Sequence, residues 1–259
     1  METEESAART CGSCLDGVAA PFPFSMAFQP IVDVDGSTVY AYEALVRGPA
    51  GEPAPTVLAR VTPENRYAFD QACRVRALTL AAKLGLAERD AHLSINFMPG
   101  AVYSPAACIR LTLRTAKNVG FPTERLIFEF VETEEVRDRD HVRAIIDEYR
   151  QLGFKVAIDD FGAGHSGVDL LASFETDLVK LDMGLIRGVE ARPRARAIVS
   201  AMTALAENLG SEIVAEGVET VEEYHCLRAC GVRLMQGYLF ARPAFEALPE
   251  IVVPRRAAA

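Results

Sequence analysis

Eight short apolar runs recur along this chain, and segments of helical period separate all but the first two. The runs cover 26–32, 38–46, 92–97, 126–131, 155–159, 178–182, 212–216 and 233–236. A strand that leads through a helix into another strand makes a parallel crossover. Eight such strands between residues 25 and 250 predict an α/β fold, a single (β/α)₈ barrel of the TIM type. The helices carry their own signals. Val142, Ile145, Ile146, Tyr149 and Leu152 recur at three- and four-residue steps before Gly153, which is an apolar helix face followed by a stop. Ile198, Met202, Leu205 and Leu209 repeat the pattern before Gly210. Thr220 with Glu223 reads as a capping box, and Gly231 ends the helix that it starts. Only Asp33 to Ser37 separates the first two runs, with Asp35-Gly36 at the tip. So short a link makes a hairpin, so one strand should run antiparallel to the rest.

The ends differ from this pattern. Residues 1–24 read as a polar tail that carries Cys11 and Cys14, 25–250 as the barrel, and 251–259 as a second tail. Half of the 259 residues are hydrophobic, enough for a sizeable core. The net charge is −9 and no basic stripe is present, which argues against a DNA-binding protein that neutralises phosphates. The start, METEESAART, is no signal peptide, and no apolar run reaches the length of a spanning helix. Six cysteines are too few for a disulfide scaffold. These features predict a cytoplasmic protein without membrane insertion. The CxxC at Cys11 and Cys14, with Cys226 and Cys230, is weak evidence for zinc. Ordinary thiols are the preferred reading.

Seven of the eight runs place an acid, amide or amine at or near their C-terminal ends: Glu43, Asn96, Glu129, Asp159 with Asp160, Lys180, Glu216 and Gln236. In a barrel these ends converge on one face, where active sites are built. For any one residue, ordinary alternation toward solvent is an adequate explanation; for the set it is not. Carboxylates aimed at one mouth repel one another unless cations compensate. Oxygen ligands select Mg²⁺ or Mn²⁺ over zinc. The adjacent Asp159 and Asp160 suit two ions, a device for in-line phosphoester hydrolysis.

At this point the residues resemble a known family, the EAL-domain cyclic di-GMP phosphodiesterases, over about 25–248. The motifs are FQPIV at 28–32, EALVR at 43–47, IN at 95–96, EFVE at 129–132, DDFGAG at 159–164, VKLD at 179–182, AEGVE at 215–219 and QGYLFARP at 236–243. The resemblance implies hydrolysis of one phosphodiester of cyclic di-GMP to give linear pGpG, with two Mg²⁺ or Mn²⁺ ions per active site. It implies that Glu43, Asn96, Glu129 and Asp159 hold the first ion. Asp160 and Glu216 take the second, with Asp159 shared. Lys180 would help to position the attacking water, with Gln236 nearby. Glu216 carries two roles in the family, ligand or general base. Glu219 would hold the loop after Asp160, while Gln29 and Arg47 would contact substrate, Arg47 at a phosphate.

The sequence departs from the family at Met98, where Ser is usual, and at Val131, where Thr is usual. Ala163, His165 and Gly167 replace the common Thr, Tyr and Ser. These changes bear on rate and regulation more than on metal binding, and His165 reads as a surface residue. The DFGAG loop, with PFSMAFQPIV near the start, resembles the EAL half of blue-light-regulated phosphodiesterases. The 24 residues before the barrel have no room for their flavin-binding sensor; if the full-length protein is this chain, it is expected to take its signal from a regulatory protein partner or from none. A homodimer through the region after Asp160 is also expected. The alternative is a catalytically weak receptor for cyclic di-GMP or a protein-interaction module.

Overall fold

The computed structural model describes residues 20–131, 139–163 and 167–254. The strands are β1 (Ser25–Asp33), β2 (Thr38–Arg47), β3 (His92–Asn96), β4 (Leu126–Val131), β5 (Lys155–Phe161), β6 (Leu178–Leu181), β7 (Glu212–Ala215), β8 (Leu234–Met235) and β9 (Ala244–Phe245). The helices are α1 (Ala54–Leu58), α2 (Arg66–Lys83), α3 (Pro105–Cys108), α4 (Arg110–Val119), α5 (Arg139–Gln151), α6 (Gly167–Ser173), α7 (Met183–Ile186), α8 (Pro193–Leu209) and α9 (Val221–Ala229). Strands β2 to β8 pair in parallel and in chain order. β1 closes the barrel by pairing antiparallel with β2 on one side and β8 on the other. The expected barrel with one antiparallel strand is therefore present.

The hairpin forms for a local reason. Asp33 Oδ1 accepts the backbone N–H groups of Asp35 and Gly36 at 3.0 and 3.3 Å, a side-chain substitute for a backbone turn. The short β9 is an addition that the sequence pattern did not show. Its two residues pair antiparallel with Ala27 and Phe28 of β1. A run this short has no periodicity to read.

Side chains alternate in and out along each strand. Ile31, Ala41, Ile127, Ala157, Leu178, Val214 and Leu234 form one buried cluster, one residue from each of seven strands. In six of these strands the next inward position is Glu43, Glu129, Asp159, Lys180, Glu216 or Gln236. In the antiparallel β1 it is Gln29, opposite Glu43. An apolar floor thus carries a polar layer one step nearer the C-terminal mouth. A larger cluster fills the space between strands and helices, and includes Phe22 and Phe24 from the segment read as tail. Both rings pack on Phe69 of α2.

The α5 face is as expected, with Val142, Ile145, Ile146 and Tyr149 buried. So is the capping box: Thr220 Oγ1 accepts Glu223 N–H, and the Glu223 carboxylate accepts Thr220 N–H. The α8 face needs correction. Ala195, Val199, Met202 and Ala206 are buried there, whereas Ile198 and Leu209 are about half exposed, at 47% and 51%. Small residues let the helix approach the barrel closely, so the large aliphatic residues fall on its flank. Among the described residues, no helix is long and apolar enough to cross a membrane. Cys11, Cys14, Glu132 and His165 lie outside the described residues.

Candidate active site

Lys180 sits at the centre of the polar layer. It is 1% exposed. Its Nζ lies 2.8 Å from Glu129 Oε2, 2.8 Å from Glu216 Oε1, 2.9 Å from Asp159 Oδ1 and 3.3 Å from Glu43 Oε2. Amides and a hydroxyl complete the layer. Gln236 Nε2 donates to Glu43 Oε2 and Asn96 Nδ2 to Glu43 Oε1, each at 2.9 Å. Ser94 Oγ donates to Glu129 Oε1. Ser94 lies two residues before Asn96 and so shares its face of β3. The sequence reading passed over it, although period-two alternation from Asn96 was the signal that could have found it.

Asp159 and Asp160 are neighbours, and in a regular strand they would face opposite sides. The pairing of β5 with β6 shifts register between Ile158 and Phe161, and Asp160 has φ +54°. This irregularity re-aims a side chain. It brings carboxylate oxygens of Asp159, Asp160 and Glu216 within 4.8 Å of one another. Glu43, Glu129 and Asp159 form a second such group, so Asp159 belongs to both.

Five carboxylates therefore crowd one ammonium, and their proton affinities show the strain. Burial, with the charges of Glu43 and Asp159 beside it, raises Glu129 to a pKa of about 8 despite Lys180. Burial also pushes Glu216 well above the carboxylate range, again against the pull of Lys180. Asp160 is raised by burial and by the charges of Asp159 and Asp182. Glu43 goes the other way. Burial raises it, but Lys180, Gln236 and Asn96 together outweigh that, and it lies below its ordinary value. Burial would lower Lys180; the four carboxylates raise it well above its ordinary value instead, so it stays an ammonium donor. Asp159 Oδ1 is buried and makes no hydrogen bond, although Lys180 is near enough to attract its charge. Two all-oxygen groups that share the buried Asp159 fit hard divalent cations.

The remaining sequence-identified residues stand around this layer. Gln29, Glu219, Gln236, Asp182, Arg187 and Tyr238 help to line a cavity of about 320 Å³ that reaches Glu43, Asp159, Asp160 and Glu216. Gln29 Nε2 donates to the Ala241 carbonyl at 3.4 Å. Glu219 is 37% exposed and pairs with Arg187, and it belongs to neither carboxylate group. Nothing near Arg187 in sequence flagged it, because its partner is 32 residues away. Arg47 is not brought into the cluster: its Nη1 donates to the adjacent Val46 carbonyl at 2.7 Å. On the other side of the mouth a cavity of about 390 Å³ is walled by Met26, Leu45, Leu58, Phe69, Met98 and Val131. Two of the family departures, Met98 and Val131, therefore meet in one apolar wall.

The fold and the site define a class: a TIM-type α/β barrel whose C-terminal mouth holds a buried acidic cluster around one lysine. Comparison with known proteins narrows it. The chain belongs to the EAL domain family, which matches residues 23–243. It is 31% identical over 230 residues to the blue light- and temperature-regulated antirepressor BluF of Escherichia coli K12, covering 89% of this chain and 57% of that protein. It is 31% identical over 233 residues to the cyclic di-GMP phosphodiesterase PA2567 of Pseudomonas aeruginosa, covering 88% of this chain and 39% of that one. The chain thus spans little more than half, or less, of these relatives. Among solved structures, a standalone versatile EAL protein from Vibrio cholerae O395 in its c-di-GMP-bound form matches with a TM-score of 0.86 and 50% identity, covering 90% of this chain and 98% of that one. The manganese/cy-diGMP complex of Klebsiella pneumoniae BlrP1 at pH 6 matches with a TM-score of 0.83 and 36% identity, covering 90% and 59%.

Proposed function

We propose that this chain hydrolyses one phosphodiester of cyclic di-GMP to give linear pGpG, using two Mg²⁺ or Mn²⁺ ions. The observation that carries the reading is the pair of carboxylate groups sharing Asp159 at the barrel mouth, with Lys180 between them. Glu43, Asn96, Glu129 and Asp159 would hold one ion, and Asp159, Asp160 and Glu216 the other. When bound, such ions neutralise a scissile phosphate and make an attacking water more acidic.

The chain's own residues do the rest. Lys180, held as an ammonium by four carboxylates, orients the attacking water by donating a hydrogen bond. Gln236, fixed on Glu43 at 2.9 Å, orients it from the side. Glu216, 2.8 Å from Lys180 Nζ, would serve either as a ligand of the second ion or as the base that takes the proton the water loses. Gln29 and Arg47 serve substrate: Gln29 lines the cavity already, and Arg47 would turn from the Val46 carbonyl to a phosphate. Glu219 would hold the loop after Asp160. In this reading the chain works in the cytoplasm, as a homodimer, with a regulatory protein as its input.

One relative, BluF, bears the name of an antirepressor, which favours a second reading, a receptor or interaction module without turnover. One experiment separates the two. The purified chain is incubated with cyclic di-GMP and Mg²⁺, then Mn²⁺, and the products are resolved by chromatography. pGpG that disappears with chelator, and in Glu216→Ala, is the expected result. Nucleotide binding without product under either metal selects the receptor.

A further inference from the structure

A buried ion pair on α2 lies just outside the mouth. Asp70 Oδ2 and Arg74 Nη2 are 2.8 Å apart, with side chains 1% and 0% exposed. Burying both charges is costly, and apolar residues of similar volume often serve stability as well or better. The other contacts of the pair indicate what it does. Asp70 Oδ1 accepts the backbone N–H of Met98 at 2.9 Å, two residues beyond Asn96. Arg74 Nη1 donates to the Tyr149 hydroxyl of α5 at 2.6 Å. Its guanidinium lies 5.5 Å from the ring centre of Phe97 and 5.3 Å from that of Phe128. Phe97 follows Asn96 and Phe128 precedes Glu129. Asn96 in turn holds Glu43. One buried pair therefore grips the backbone or the neighbours of two residues in the acidic layer, and through Asn96 it reaches a third.

We propose that Asp70 is a positioning residue for the first ligand group, and that Arg74 holds the Asp70 carboxylate in place. Through the Met98 N–H, Asp70 fixes the end of β3 and so the angle at which Asn96 meets Glu43. The proposal rests on the reading that this mouth binds divalent cations. Ligand groups need placement to within about 0.5 Å, and loss of the partners that orient them costs ~10–100-fold in metal affinity.

The test measures Mn²⁺ binding by electron paramagnetic resonance on the full chain, with no substrate present. Asp70→Leu with Arg74→Met removes the charges and the acceptor together. Asp70→Asn with Arg74→Met removes the charges but keeps an oxygen for the Met98 N–H. We expect the Leu/Met variant to bind Mn²⁺ ~10–100-fold more weakly and the Asn/Met variant to recover most of that loss. Circular dichroism checks that both are folded; should Leu/Met not fold, Asp70→Ala with Arg74→Met replaces it. A merely structural role predicts affinity that does not depend on the Met98 acceptor. Wild-type affinity in Leu/Met, or an equal loss in both variants, overturns the proposal while leaving the metal reading intact. A wild-type chain that binds no Mn²⁺ overturns both.

Discussion

Lys180 and Glu129 show how single residues set the chemistry of the mouth. Without cations, Glu129 titrates at about 8, raised from 4.5 by burial and by Glu43 and Asp159. A carboxyl whose folded pKa is raised contributes stability that is whole below the unfolded pKa and is lost as pH rises through the folded one. Glu216 has the same sign. Glu43 has the opposite sign, and its contribution is complete above the usual carboxylate range. Lys180, raised further, stays charged throughout. The chelated protein should therefore lose stability from about pH 5 to about pH 8, by an amount on the order of a few kcal/mol. Saturating Mg²⁺ or Mn²⁺ should flatten that slope, because the ions replace the protons. Melting curves with EDTA and with metal check this; a melting temperature that rises with pH in EDTA would show that the acids are not crowded as described. At this scale the sequence was highly legible. The acids interrupt apolar runs, and only a buried cluster makes sense of that. Ser94 was harder to find, because a serine in a strand is ordinary until alternation from Asn96 is followed to its partner, Glu129. The left-handed backbone of Asp160 was not legible, because it depends on the register between β5 and β6.

The elements that carry these residues meet at the two loops after β7 and β8. Val218 N–H donates to the Gln236 carbonyl at 3.0 Å, and Leu239 N–H to the Val218 carbonyl at 3.1 Å. The contact is so close that a Cβ at Gly237 would lie 2.0 Å from the Val218 carbonyl oxygen and 2.3 Å from its nitrogen. Backbone cannot swing aside as a side-chain tip can. Gly237→Ala should therefore force the loops apart, costing on the order of 3 kcal/mol and displacing both Glu216 and Gln236. Thermal unfolding reads the first effect, and loss of cyclic di-GMP turnover at retained fold the second. A variant with wild-type melting temperature and turnover would mean that the two loops are not tied through this contact. Eight strands, the face of α5 and the capping box of α9 followed from spacing and capping. The face of α8 did not, because periodicity reports that a helix has an apolar side but overweights large residues. Packing against a barrel selects Ala195, Val199 and Ala206 instead. The two-residue β9 was invisible for want of length.

For the molecule as a whole, closure was legible because the Asp33–Ser37 link left room for a hairpin and nothing else. β1 then had to stand antiparallel in an otherwise parallel barrel, as it does between β8 and β2. What spacing could not give is how the outside of the barrel is used. The region after Asp160 exposes Val168 at 66% and Met183 at 47%, and α8 exposes Ile198 at 47%. Leu185 and Ile198 also line an open groove with Arg192 and Arg194. Large apolar residues left in water cost free energy that a second copy would recover, ~25 cal/mol for each Å² of apolar surface covered. Met183 also lines the cavity that reaches Asp160 and Glu216, so a second copy seated on it would stand at the rim of that cavity. Specific activity on cyclic di-GMP should therefore rise with protein concentration and level off as dimer forms, and sedimentation should place the midpoint of association at the same concentration. Ile198→Asp, far from the carboxylates in sequence, should shift both curves to higher concentration together while leaving Mn²⁺ affinity unchanged. Full specific activity in a strictly monomeric preparation would remove the dimer from the mechanism and leave the exposed residues for a different partner.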